Sequence, residues 1–460
     1  MAPNVEQDGL PVPQRYWSVL AIWLAITMAV LDASLANVAL PTIARQFRVV
    51  PSDAIWIVSA YQLAIVVSLL PMASLGEIVG YSRVYLVGLT LFTAASLACA
   101  MSTSLAELTA ARVVQGVGAA GIMGINAALV RFTYPQRLLG RAIGLNALVL
   151  SVSSALGPSV AAAILSVGPW QWLFAVNVPI GLATLCLAWF ALPRTPRVAR
   201  RFDVLGAVLN ALAFGLVIGG IDVVTRTARS VGGGLMIAGG AVSAAILALR
   251  SRSQASPLLP VDLLRIPIFA LSIASSVLSF CAQMLALVAL PFYFEGALGR
   301  TPVEVGLLLT PWPIAVGIVG PVAGFLSDRF PAAILGGVGL LIFAMGLAAL
   351  ALMPEAASFG DIAWRMGLCG TGFGFFQAPN NRTMIASAPR SRSGAAGGML
   401  ATARLMGQTT GATLVAVYFA LDPARAETLA LGTAACLALA GAVTSAARLA
   451  SGRAEGAKDE

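Results

Sequence analysis

Histidine is absent from all 460 residues. The side chain that most often shuttles protons near neutral pH and binds transition metals is therefore missing. Its absence excludes a histidine-containing metal site and leaves carboxylates to carry any proton chemistry. Charge is almost as scarce. Only 10% of the residues are charged, against about 25% in an ordinary soluble domain, and Lys458 is the only lysine. So little polar surface cannot coat a water-soluble globule of this size. The five cysteines (Cys99, Cys186, Cys281, Cys369 and Cys436) form no CxxC pair. They fall inside apolar segments and read as small hydrophobes, not as disulfides or metal ligands. No GxxxxGK[ST] loop is present, which removes the usual signature of ATP use. With no credible nucleophile–base pair either, the chain is not expected to be an enzyme.

What is abundant is apolar length. Hydrophobic residues make up 59% of the chain, gathered into about fourteen segments, each near the roughly 20 residues that span a bilayer as a helix. The expected fold class is an all-α polytopic membrane protein with 14 transmembrane helices. The apolar stretch after Arg15 is too long for a signal-peptide core and should remain as the first membrane helix, over residues 17–40. An even helix count puts both termini on one side. Loops assigned to that side then hold most of the arginines, including Arg194, Arg197, Arg200 and Arg201, and Arg448 falls with the C-terminal tail. This asymmetry places both termini in the cytoplasm. The net charge of +9 is read as topogenic arginine; basic residues scattered through short loops do not suit nucleic-acid binding.

The chain also repeats itself. Gly140, Gly144 and Gly157 return as Gly394, Gly398 and Gly411, each 254 residues on (394 − 140). Arg112 is matched with Arg365, and the turn at Leu75 and Glu77 with Leu326 and Asp328. Two six-helix bundles in parallel repeat fit this pattern. The expected organisation is an N-terminal bundle over 1–195, an inserted helix pair with its linkers over 196–262, and a C-terminal bundle over 263–460.

Several segments carry a resemblance to a known family. Leu31-Asp32-Ala33-Ser34-Leu35-Ala36-Asn37-Val38-Ala39-Leu40-Pro41 looks like an LDxTxxNVALP element, and Arg112-Val113-Val114-Gln115-Gly116-Val117-Gly118 looks like RxxQGxG. Gly157-Pro158 matches an antiporter GP motif, and the segment from Trp172 through Asn177 and Pro179 to Gly181 matches WxFxxNVPIG. Over nearly its whole length the chain resembles the major facilitator superfamily, specifically its fourteen-helix drug:proton antiporters. The loop between helices 2 and 3 departs from the family pattern GxLxDxxGRR. Glu77 stands for its aspartate, Gly80 and Arg83 are kept, and Tyr81 and Ser82 replace basic residues.

The resemblance implies proton-coupled export of small amphipathic or toxic compounds by alternating access in a bacterial inner membrane. The expected partners are a small-molecule substrate, protons and the lipid bilayer. The unit would be a monomer, and the proton gradient would stand in place of any cofactor. A dedicated transporter of one metabolite, possibly an anionic one, is the alternative; a non-transporting receptor lacks the extra-membrane domain it would need.

An ionised Asp32 inside helix 1 is costly unless hydrated or paired. It is a candidate for proton coupling, or else for locking helix 1 to a neighbour. Arg112 stays charged and, by the family analogy, sits near the proton site. The proposed substrate-cavity set is Asp32, Gln62, Gln115, Gln283, Gln377, Asn380 and Arg404. The proposed conformational-switch set is Glu77, Gly80, Arg83, Gly157, Pro158, Asp328 and Arg329. Asp222 and Glu295, near outer helix ends, are expected to be solvated.

Overall fold

A computed structural model of the chain describes residues 9–135, 138–195, 197, 201–226, 231–251, 261–327, 329–354, 357–388 and 393–456. Among these no strand occurs. The helices are α1 (Gln14–Phe47), α2 (Pro51–Ala54), α3 (Trp56–Val79), α4 (Tyr81–Met101), α5 (Leu105–Thr133), α6 (Leu139–Val167), α7 (Trp172–Ala175), α8 (Asn177–Ala191), α9 (Val204–Arg226), α10 (Val231–Ser251), α11 (Pro267–Gly296), α12 (Pro302–Leu309), α13 (Pro311–Leu326), α14 (Ala332–Ala351), α15 (Phe359–Ser387), α16 (Ser393–Leu421) and α17 (Ala426–Gly456). The pairs α2/α3, α7/α8 and α12/α13 are each interrupted by a single residue. At the last break Pro311 follows Thr310 and brings no backbone N–H to the ladder.

Among the described residues, eleven helices, counted across those short breaks, are long and apolar enough to cross a membrane. Their outward faces are apolar: Trp189 and Phe190 are 72% and 77% exposed, a cost in water that lipid removes. The first helix is longer than the apolar run, extending from Gln14 to Phe47. Past Leu40 the helix runs on through Pro41, which brings no backbone N–H to the ladder, and it ends at Arg48 in the left-handed conformation.

Helix starts are chemically marked. Ser104 and Ser358 accept from the backbone N–H of Glu107 and Asp361, and Thr301 with Glu304 forms a capping box ahead of α12.

Two sets of helices pack in matching ways. In the first, α5 lies against α3 and α4, and α1 against α6 and α8; in the second, α15 lies against α13 and α14, and α11 against α16 and α17. The match extends to single residues. Gly116 of α5 faces the backbone carbonyl of Tyr61 and the Cβ of Ala64, while Gly370 of α15 faces the carbonyl of Trp312 and the Cβ of Ala315. Gly118 meets Gly88 and Phe92, and Gly372 meets Gly339 and Phe343. Any Cβ at these glycines would run into backbone, so only glycine permits such close crossings.

These contacts also fix the register of the repeat. Leu105–Thr133 and Phe359–Ser387 are each 29 residues long and offset by 254 (359 − 105). In that register the counterpart of Arg112 is the fully buried Met366, not Arg365. Arg365 is turned one position around the helix and pairs with Asp361 on its own helix at 2.5 Å. The match of the two arginines in sequence is one residue out of structural register.

Candidate functional site

The centre of the first helix set is polar and sealed. Asp32 of α1 and Arg112 and Gln115 of α5 are each 0% exposed. Arg112 donates through Nη1 to Asp32 Oδ2 and to Gln115 Oε1 at 2.6 Å, and through Nε to the Ile57 carbonyl at 3.2 Å. The other carboxylate oxygen of Asp32 accepts from Gln115 Nε2 at 2.9 Å and from Asn177 Nδ2 of α8 at 2.8 Å. Gln115 Nε2 also reaches Ser96 Oγ of α4 at 2.9 Å. The Tyr61 ring of α3 lies beneath the guanidinium, 3.9 Å from centroid to Cζ. A single carboxylate is thus held by α1, α5 and α8, and its cation is covered by an aromatic face.

Such a pair is stable only because nearly every polar atom has a partner. Arg112 Nη2 is the exception, buried with no hydrogen-bond acceptor among the described residues. In the sequence Asn177 stands out only as a letter of the WxFxxNVPIG-like segment. Its role as a ligand of the carboxylate shows itself when α8 packs on α1.

Beside this network lies a cavity of about 130 Å³. Its polar lining is Ser34, Asn37, Gln283, Gln377, Arg404 and Gln408, and Phe280, Trp312 and Phe373 form an aromatic wall. Of the residues expected to line a substrate cavity, Gln283, Gln377 and Arg404 line this one. Asp32 and Gln115 belong to the sealed network instead. Gln62 is buried in α3, away from the cavity lining.

Asn380 does different work. Its Nδ2 donates to Ser276 Oγ at 2.8 Å, and its Oδ1 accepts from Arg448 Nη1 at 2.7 Å. Arg448 is therefore a buried cross-link of α17 to α11 and α15, because α17 continues to Gly456 and carries this position into the protein. It is not a tail charge.

The expected switch residues are scattered. Gly80, at φ 109°, ends α3 in a conformation that favours glycine. The next residues are anchored to the segment after α8: Tyr81 N–H donates to Thr195 Oγ1 at 2.9 Å and Ser82 Oγ to the Pro193 carbonyl at 2.5 Å. Glu77 sits in the last turn of α3, and Arg83 is exposed. Arg329 is exposed near the Phe325 ring; Asp328 lies outside the described residues.

Gly157 of α6 abuts Ser34 of α1, while the Pro158 carbonyl receives Gly306 of α12 at a contact only glycine allows. The Gly157–Pro158 pair is thus clamped between α1 and α12. Glu295 is not solvated. Its side chain is 1% exposed and pairs with Arg45 of α1 at 2.5 Å, because the end of α11 packs on α1. Asp222, part-buried, accepts from Trp56 Nε1 at 2.9 Å and ties α9 to α3.

An all-helical membrane chain built as a repeat around a small polar cavity has the form of a transporter, and the comparisons agree. The family model for the Major Facilitator Superfamily matches residues 22–412, and the chain belongs to this superfamily of membrane transporters. It is 51% identical to "Uncharacterized transporter YebQ" of Escherichia coli (strain K12), over 97% of this chain and 98% of that one. It is 32% identical to "Multidrug resistance protein Stp" of Mycobacterium tuberculosis (strain CDC 1551 / Oshkosh), over 86% of this chain and 74% of that one. Among solved structures it superposes on a POT family transporter in complex with a thioalcohol-conjugated peptide. The TM-score is 0.71 at 14% identity, covering 92% of this chain and 94% of that one. It also superposes on a D-xylose-proton symporter, with a TM-score of 0.67 at 12% identity, covering 94% and 97%. These last two likenesses are of fold.

Proposed function

We propose that the protein is a proton-coupled antiporter that exports small amphipathic compounds across a bacterial inner membrane, with both termini in the cytoplasm. In this reading α6, α15 and α16 span the bilayer with the eleven apolar helices, giving fourteen. Residues 1–195 and 263–460 form two six-helix bundles that rock as a monomer about the central cavity, and 196–262 is an inserted pair.

The observation that carries the coupling is the Asp32–Arg112 network. Protonation of Asp32 neutralises the acceptor shared by Arg112, Gln115 and Asn177, and leaves Arg112 as an unbalanced buried cation. That imbalance favours a rearrangement of α1 against α5 and α8, the helices the carboxylate joins. Deprotonation towards the cytoplasm restores the pairing. Export as the direction is supported by drug-resistance relatives at about 30% identity.

The test is accumulation of a panel of cationic, neutral and anionic amphipathic probes in everted membrane vesicles. Accumulation that needs the proton gradient, and is lost in Asp32→Asn with the protein still folded in the membrane, is the expected result. Gradient-dependent accumulation surviving unchanged in Asp32→Asn overturns the coupling role.

A further inference from the structure

The charge balance of the cavity is one-sided. Arg404 of α16 is the only ionisable side chain in its lining, and no acidic residue accompanies it among the described residues. Arg112 has Asp32, Arg45 has Glu295 and Arg365 has Asp361. Arg404 makes none of these pairings. Its neighbour is the Phe280 ring, 5.9 Å from Cζ to centroid, and its buried Nε has no acceptor among the described residues. A guanidinium keeps its proton even when half-buried, so the cavity carries a fixed positive charge.

An unpaired donor also lies sealed behind the aromatic wall. Trp312 is 2% exposed, and its indole Nε1–H has no acceptor among the described residues. Buried N–H groups without partners are uncommon because each loses its hydration for nothing. A lone fixed cation in the lining calls for a ligand that accepts hydrogen bonds and carries negative charge.

The rest of the lining defines the ligand's other end. Phe280 and Phe373 meet edge to face at 5.3 Å, and Trp312 stands edge-on to Phe343 at 5.4 Å. The Trp312 backbone is pressed against Gly370, which fixes where the indole stands. This wall suits a flat apolar ring. The volume of about 130 Å³ is close to the roughly 150 Å³ that admits benzene in an engineered cavity. There is room for a ring, and the charge of a cation bound there would face Arg404.

We infer that the transported substrates include small aromatic anions of the carboxylate class, with the anionic group held by Arg404 and the ring lying against Phe280 and Phe373. This rests on the reading of the cavity as the transport site.

The test measures equilibrium binding to the purified full-length protein in detergent, without any gradient. Three single-ring probes of similar size are used: benzoate, neutral benzamide and cationic benzylamine. The wild type is expected to bind benzoate at least about tenfold more tightly than benzamide, the size of a charge-assisted hydrogen bond, and benzylamine most weakly. Arg404→Gln should erase the preference for benzoate, and Arg404→Lys should keep part of it. Melting temperatures of both variants show whether they are folded, and wild-type discrimination among the three probes stands whether or not they are.

Equal binding of benzoate and benzamide by the wild type, or a preference that survives in folded Arg404→Gln, overturns the inference. Benzoate binding with no gradient-driven accumulation in vesicles would defeat the coupling reading while leaving the ligand assignment intact. Gradient-driven export of cations without any benzoate preference would do the reverse.

Discussion

Asn177 donates to the same oxygen of Asp32 that Gln115 holds, at 2.8 Å. The contact joins α8 to α1 through a carboxylate that neither helix exposes. Hydrogen bonds to charged groups contribute about 1.5–3 kcal/mol. Asn177→Ala is expected to cost that order of stability, lowering the melting temperature of the purified protein, whereas Asn177→Asp should be worse because it sets a second carboxylate against Asp32. Unchanged melting in Asn177→Ala would show that the bond contributes no net stability.

Removing one member of the Asp32–Arg112 pair strands the other in a sealed interior, which costs about 3–5 kcal/mol. Asp32→Asn and Arg112→Gln should therefore each destabilise strongly, and the double variant by clearly less than their combined effects. A double-mutant cycle on unfolding measures the coupling. Full additivity would mean that the pairing contributes little.

Arg45 and Glu295 join α1 to α11. Arg45 is 60% exposed and Glu295 1%, so solvent screens the attraction, and its value is about 1 kcal/mol or less. The larger effect comes from leaving the buried carboxylate alone. Arg45→Gln should lower the melting temperature more than Glu295→Gln does, an order that thermal scans of the two variants check directly.

Glycine substitutions should split by position. Gly118→Ala and Gly372→Ala drive a Cβ into backbone, at Phe92 and Phe343 respectively. Both should fall in the strongly destabilised class, with Gly372→Ala recovered poorly from membranes. Gly215→Ala meets nothing within 4 Å and gains up to about 1 kcal/mol in helix propensity. Yields and melting temperatures of the three compare the classes; equal behaviour would contradict the packing described.

Much of the fold was legible because lipid imposes a simple rule on sequence, and long apolar runs with few charges read directly as helices. The repeat was legible through glycines, since close helix crossings tolerate little else. The glycine offset of 254 carried the register and the arginines did not: Arg365 stands one residue from the counterpart of Arg112, as Gly370 against Trp312 and Gly372 against Phe343 show.

Of the site, Arg404, Gln283 and Gln377 were readable as isolated polar residues on apolar helices. Asn177 was readable only as a motif letter, because its partner lies 145 positions away. Glu295 misled because nearness to a helix end says nothing about which helix packs there. Asn380 misled for a similar reason: it satisfies Arg448, whose burial depends on how far α17 continues.

The crossings of Gly118 on Gly88 and Gly372 on Gly339 set backbone against backbone, with no layer of side chains between. Helices joined this way have nothing to deform, so they cannot slide past one another by small adjustments of rotamer. Compliance is left to the places where side chains intervene, such as Arg45 with Glu295 and Ser159 with Thr310. Stiffness and give in this molecule are thus distributed by residue size, and a change from glycine to alanine at a crossing alters its mechanics before it alters its chemistry.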